Sequence, residues 1–265
     1  MPPIIDAHCH IYPDKIAERA SQSIGKFYGI PMNLDGRVDT LLREEKKAGI
    51  THFLVHSVST HPSQVRNIND FIASQVAQSN GCMTGFGTLH PDSSTMDEDL
   101  DHLLKLGLKG VKIHPDVQGF ALDSDKSIAM CERLVGRLPV LVHTGDHRYS
   151  FSNPPQTARF LEALPGLVVI GAHFGGWSVW EEAAQTLSKY DNLLVDCSSS
   201  LYALSPEAAR KLFYRYGPER VLFGTDYPMW MPQEELARLT AVGLSEREQR
   251  MVMYDNAARL LGVPL

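Results

Sequence analysis

The chain has 265 residues, 43% of them apolar and 21% charged, with a formal net charge of −6. That composition excludes a disordered chain, and the acidic balance without a Lys/Arg run excludes a surface built to neutralise nucleic-acid phosphates. No apolar stretch approaches the roughly 20 residues of a membrane span, and Met1-Pro2-Pro3-Ile4 lacks the basic start and apolar run of a leader, so a cytoplasmic protein is expected.

The first strand is expected at 3–9, an apolar run that ends in Asp6-Ala7-His8-Cys9-His10. Residues 11–36 are long for a loop and carry Tyr12, Phe27, Tyr28 and Pro31, which predicts a partial lid over one end of the fold. A helix over Arg37–Ala48 leads to a strand at 51–57, where only one of His56 and Ser57 can face inward. Helix Pro62–Gln78 leads to strand 82–88, Met96–Leu106 to 109–113, Asp125–Val135 to 139–143 and Pro155–Leu164 to 167–172. Val179–Lys189 then leads to 192–196 and Pro206–Tyr216 to 220–224, and helices at 232–241 and 245–261 close the chain. Ser178 and Ser205 are expected N-caps, Pro206 sits at a first helical position, and Ser245 with Glu248 reads as a capping box.

Eight strands alternating with helices predict one (β/α)8 TIM barrel, a single α/β domain over 1–265 with an insertion after strand 1. Continuous apolar runs such as Leu138-Pro139-Val140-Leu141-Val142 suit strands covered on both faces. A doubly wound open sheet would carry a Gly-rich first turn, whereas this first strand ends in His-Cys-His. Cys9, Cys82, Cys131 and Cys197 have no Cys-x-x-Cys spacing and read as reduced, mostly buried thiols.

Five apolar runs end in a residue type that binds metals, and barrels carry their chemistry at such strand ends. Strand alternation places Asp6, His8 and His10 on one face and Ala7 and Cys9 on the other. Asp6 then supports the ligands and Cys9 packs in the core. His143 ends the fifth strand and Asp226, in Gly224-Thr225-Asp226-Tyr227-Pro228, the eighth. Three neutral imidazoles and a carboxylate suit one divalent cation, Zn2+ first, with Mn2+ and Fe2+ as alternatives. His173, ending strand six before Phe174-Gly175-Gly176-Trp177, is the expected acid/base histidine, with a ligand role second. Gly175-Gly176 either admits a substrate close to the backbone or forms a tight turn.

Lys112 and His114 share a face of strand four and bind an anionic substrate group, bridge two metals if the lysine is carbamylated, or pair structurally with a barrel carboxylate. Arg148, Tyr149 and Trp177 are further substrate-side candidates. His90 reads as a mouth residue, and His52, His61, His102 and His147 as peripheral. A nucleophile elbow, a P-loop and a dinucleotide glycine pattern are all absent from the sequence.

With Asp6-Ala7-His8-Cys9-His10, His143, His173 and Gly224-Thr225-Asp226 in order, the chain resembles the amidohydrolase superfamily over nearly its full length. Its nearest likeness is the amidohydrolase-related branch that includes aminocarboxymuconate-semialdehyde decarboxylase, γ-resorcylate decarboxylase and small metal-dependent hydrolases. The resemblance implies that His8, His10, His143 and Asp226 hold the metal and that His173 is the catalytic histidine. Strand four, Lys112-Ile113-His114, does not align with a bridging lysine, so a mononuclear site is expected. Three functions follow as expectations. The first is hydrolysis of a small carboxylate, lactone or amide by activated water, with Asp226 or His173 taking the proton. The second is nonoxidative decarboxylation of a small aromatic or muconate-like acid, with Asp226 or His173 delivering one. The third is a non-catalytic barrel that binds a metal or metabolite. A small-molecule substrate is the expected partner, with no nucleic acid or membrane, and a homodimer is the default assembly.

Overall fold

Each apolar run of the sequence forms a short parallel strand, and each amphipathic stretch forms the helix that carries the chain back to the start of the next. A computed structural model describes residues 3–264. The strands are β1 (Ile5–His10), β2 (His52–His56), β3 (Met83–Gly85), β4 (Val111–Ile113), β5 (Val140–Val142), β6 (Val169–Gly171), β7 (Leu193–Asp196) and β8 (Val221–Leu222). The first helices are α1 (Asp14–Tyr28), α2 (Val38–Ala48), α3 (Val65–Gln78), α4 (Met96–Lys105), a short turn α5 (Pro115–Gln118) and α6 (Asp125–Glu132). They are followed by α7 (Pro154–Ala163), α8 (Trp180–Leu187), α9 (Pro206–Tyr216), α10 (Pro232–Ala241), α11 (Glu246–Arg250) and α12 (Asn256–Leu261).

Neighbours pair in parallel in chain order, β1 to β3 and β4 to β8, and two seams complete the circle. Gly87 N and Lys112 N donate across the β3–β4 seam to Gly110 O and Gly87 O at 2.9 and 2.7 Å. Ala7 N and His10 N donate to Phe223 O and Tyr227 O at 2.9 and 2.8 Å, joining β1 to the chain around β8. The sheet is therefore a closed (β/α)8 barrel without free edges, as the strand and helix alternation predicts.

The core has two layers. Inside the barrel, Ile5, Ala7, Leu54, Phe86, Leu141, Ile170, Ala172 and Leu222 pack together, plugged from below by Tyr254, Ala257 and Ala258 of the C-terminal helices. Outside, the strand residues Cys9, Phe53, Val55, Val111, Val140, Val169 and Val195 face the helical shell. Covering both faces removes water from every strand, which is why the runs read as continuously apolar.

Four local expectations change. Pro62–Gln64 forms a tight 3₁₀ turn capped by His61 before α3 begins. The helix expected over 245–261 contains a π-helical turn at Met251–Asp255. Ser178 does not cap α8: it sits at φ 65° and its Oγ accepts from His147 N at 3.0 Å, while Val179 leads into the helix. Ser205 and the Ser245–Glu248 box do cap α9 and α11. The insertion after β1 is mostly α1, whose Ala17, Ser21 and Gly25 are buried; a Cβ at Gly25 would stand 2.9 Å from Ile30 O, so glycine lets the chain after the helix fold back against it. Among the described residues, no helix is long and apolar enough to cross a membrane.

Candidate metal centre

Alternation along β1 fails at the point that matters. A bulge between Asp6 and Cys9 shifts the register against β2, so Ile5 and Ala7 both face the barrel interior, while His8 and His10 turn into its mouth and Cys9 faces the helices. Asp6 therefore does not share the face of the two histidines. It accepts from His8 N at 2.9 Å and from Thr225 N at 3.0 Å, and so ties the His8–His10 segment to the β8 loop that carries Asp226. Bulges beside active sites re-aim side chains in this manner.

The result is a triangle of acceptor atoms. His8 Nε2 lies 3.2 Å from His10 Nε2 and 3.3 Å from Asp226 Oδ1, and His10 Nε2 lies 3.6 Å from the same oxygen. A tetrahedral ion with ligands about 2.1 Å away has corners about 3.4 Å apart, so the three atoms fit a divalent cation between them. Burial pushes the His8 imidazole well below its ordinary value, helped by the Lys112 charge, and pushes His10 down to about 3. Both rings are therefore neutral near pH 7, the form that donates a lone pair to a metal.

The end of β7 fixes the tautomers. His8 Nδ1 donates to Asp196 Oδ2 at 2.8 Å, because a carboxylate can only accept, which leaves Nε2 with its lone pair facing the triangle. His173 Nδ1 donates to Ser198 O at 2.9 Å, leaving its Nε2 as an acceptor. Asp196 Oδ1 also accepts from His173 N at 3.1 Å, and Ser199 Oγ donates to Asp226 Oδ2 at 2.5 Å. His173 and Asp226 both sit in left-handed backbone, at φ 60° and 57°, where a non-glycine residue is held only by surrounding contacts.

A one-way chain of donors crosses the mouth. His114 Nδ1 accepts from Val117 N, so His114 Nε2 donates to Tyr28 Oη at 2.7 Å; Tyr28 Oη donates to His143 Nε2 at 3.3 Å; His143 Nδ1 donates to His173 Nε2 at 3.1 Å. Tyr28 comes from α1, so the insertion roofs the site as expected of a lid. The pocket beneath measures about 30 Å³ and is lined by His10, Tyr28, His114, His143, His173 and Asp226, among others.

The expected residues divide accordingly. His8, His10 and Asp226 converge, with His173 beside them. His143 lines the same pocket, but its nitrogens face His173, Tyr28 and Asp116. Lys112 is fully buried with Nζ 3.3 Å from His8 Nε2, and burial lowers its amine to about 8. His114 stacks on His143 at 3.9 Å. Arg148 is turned away from the pocket: its guanidinium is held by Asp146, donates to Phe27 O at 2.6 Å, and lies over the rings of Phe27, Tyr28, Tyr149 and Trp177. Trp177 backs Tyr28 edge-on at 5.0 Å. The Gly175-Gly176 pair forms a tight turn, and Gly145, at φ 84°, packs on it so closely that a Cβ there would stand 2.5 Å from Gly176 C. His90 turns Nδ1 to Asp92 N, off the pocket.

Four neighbours escape the sequence reading, Asp116, Asp196, Ser198 and Ser199, and of the pair His56 and Ser57 it is His56 that faces the site. His56 ends β2, is wholly buried edge-on to His10 at 4.4 Å, and neither ring nitrogen has a partner. Asp116 is also unpartnered, and burial raises its carboxyl to about 7. The signal for Asp196 was present, since Leu193-Leu194-Val195-Asp196 is another apolar run that ends in a carboxylate.

The family model for amidohydrolases matches residues 5–263. Among solved structures, an uncharacterized TIM-barrel protein from Bordetella bronchiseptica superposes with a TM-score of 0.80 at 20% identity, covering 98% of this chain and 99% of that one. A candidate 2-pyrone-4,6-dicarboxylic acid hydrolase from Pseudomonas putida gives a TM-score of 0.69 at 21% identity, covering 100% and 99%. A dihydroxybenzoic acid decarboxylase from a Polaromonas species, with bound manganese and the inhibitor 2-nitroresorcinol, gives 0.74 at 16% identity, covering 99% and 98%. At these identities the likeness concerns the fold. No curated protein matches the chain.

Proposed function

The chain belongs to the amidohydrolase family and is a metal-dependent enzyme, hydrolase or carboxy-lyase; within that family we propose hydrolysis of a small carboxylate, lactone or amide. His8, His10 and Asp226 hold the ion in this reading; His143, whose Nε2 lone pair is taken up by Tyr28 Oη in this structure, becomes the fourth ligand only by giving up that bond, and Zn2+ is the preferred metal for the nitrogen-rich set. Mn2+, which the Polaromonas structure holds, is the alternative. Such a cation supplies Lewis acidity, lowering the pKa of water and polarising a carbonyl oxygen.

The observation that carries the hydrolytic reading is the bond from His173 Nδ1 to Ser198 O at 2.9 Å. In the neutral ring this uses the one proton, so Nε2 is an acceptor. Attack by water needs a base at that point, whereas decarboxylation needs a group that delivers a proton to carbon. Asp226 Oδ2 likewise accepts, from Ser199 Oγ. His173 takes the water proton at Nε2 by giving up the bond it accepts there from His143 Nδ1, and spreads the new charge through Nδ1 towards Ser198 O, while Asp196 holds the backbone of the same residue. Tyr28 closes the mouth and excludes bulk water.

The test is turnover in 18O-water with lactones, amides and aryl carboxylic acids as substrates. Label in the product without CO2 supports hydrolysis. CO2 release without label overturns it in favour of the carboxy-lyase, and no turnover by metal-loaded protein across all three classes favours a barrel that only binds.

A further inference from the structure

A second cavity lies on the outer side of α1. It is a groove of about 460 Å³ between α1 and α3, and three of its lining residues, Tyr12, Ile24 and Val58, also line the metal pocket. We propose that the substrate is bipartite, with a polar head at the His8–His10–Asp226 triangle and an alkyl or aryl body in this groove.

Size comes first. The metal pocket, at about 30 Å³, is about a tenth of the smallest typical small-molecule site, so it holds a reacting group but not a whole organic substrate. The groove falls within the roughly 300–1,000 Å³ typical of small-molecule sites. Contiguity comes second, because a wall made of the side chains of Tyr12, Ile24 and Val58 opens by rotamer change without unfolding a backbone segment. The third argument is the pattern of α1. Ala17, Ser21 and Gly25 form the buried face, while Ile16, Ala20, Ile24 and Phe27 recur at helical spacing along a different face, and that face lines the groove opposite Ile68 and Phe71. A lid helix needs one apolar face to seat itself, and here the second belongs to a cavity that adjoins the chemistry.

The inference rests on the metal reading above, so its test measures the two separately. Binding of acetate, butyrate, hexanoate and octanoate to the metal-loaded protein is followed by calorimetry, with bound metal assayed in the same samples. Burial of each methylene is worth about 0.8 kcal/mol, so affinity should rise about fourfold per added carbon once the chain reaches the groove. Ala20→Trp and Ser23→Phe fill the groove from α1 without touching the metal pocket, and each should weaken octanoate at least tenfold with metal content and melting temperature unchanged. A flat wild-type series overturns the proposal, as does octanoate binding that neither folded variant alters. Groove occupation by a second copy would give a dimer that Ala20→Trp dissociates together with a flat series, and that result also overturns it. Protein that holds no divalent ion yet keeps the chain-length gain retains the groove and loses the metal centre.

Discussion

Asp196→Asn removes one charge and changes almost no volume, and it acts on the metal triangle without touching it. Both oxygens of Asp196 are acceptors: Oδ2 takes the His8 Nδ1 proton at 2.8 Å, and Oδ1 takes His173 N and Ser198 N at 3.1 and 3.0 Å. An asparagine has one acceptor and one donor end. With its amide nitrogen towards His8, it forces the other tautomer, so Nε2 carries a proton into the triangle and can no longer ligate. With its amide nitrogen towards His173 N and Ser198 N, two buried backbone donors lose their acceptor. Loss of a carboxylate partner behind a ligating histidine lowers metal affinity about 10- to 100-fold, which is about 1.4–2.8 kcal/mol. Chelator competition at neutral pH measures this directly, with circular dichroism to show that the barrel is intact. A folded Asp196→Asn protein that binds zinc within twofold of wild type would refute the assignment of His8 as a ligand held through Nδ1.

Three further outcomes are expected. His56 is wholly buried with two unpartnered ring nitrogens, so His56→Leu should stabilise the metal-free protein by about 1–2 kcal/mol, a melting-temperature rise of about 2–6 °C by calorimetry. A fall in melting temperature together with lost metal would instead make His56 a ligand. Burial pushes the Glu235 carboxyl up to about 7 from an ordinary 4.5, so the folded state keeps a proton that the unfolded chain releases, and stability falls as pH rises from about 4.5 to 7. Glu235→Gln should therefore raise stability at pH 8 by up to about 3 kcal/mol and change little at pH 4; equal effects at both pH values in urea titrations contradict the sign. Arg148 pins the lid through Phe27 O, so Arg148→Ala should speed proteolytic cutting within residues 11–36 severalfold while metal content stays constant, and an unchanged cutting rate removes its role as a strut.

The barrel was legible because its signal is repeated. Eight apolar runs separated by amphipathic stretches overdetermine the topology, so the short ladder of β8, only Val221–Leu222, does not obscure the eighth strand. The mouth residues were legible for a related reason, since a His or Asp at the end of a buried strand stands out against its apolar run. What alternation could not supply was the local aim of each side chain. The β1 bulge is set by pairing with β2 and by the Asp6 bonds across to Thr225, partners far away in sequence, so a period of two misplaces Asp6 even as it finds His8 and His10. Arg148 shows the same limit: a loop arginine near the mouth suggests a substrate carboxylate, while in the structure Asp146 two residues earlier and the rings of the insertion hold it. His56 and Asp116 carry the opposite lesson. Each ends a strand or opens a turn beside the site with no protein partner for its polar atoms, and an unpartnered buried group gains its meaning only once its neighbours are placed. Strand-end chemistry in this chain thus identifies which residues gather, while the contacts of Asp6, Asp196 and Ser198 decide which lone pairs face one another.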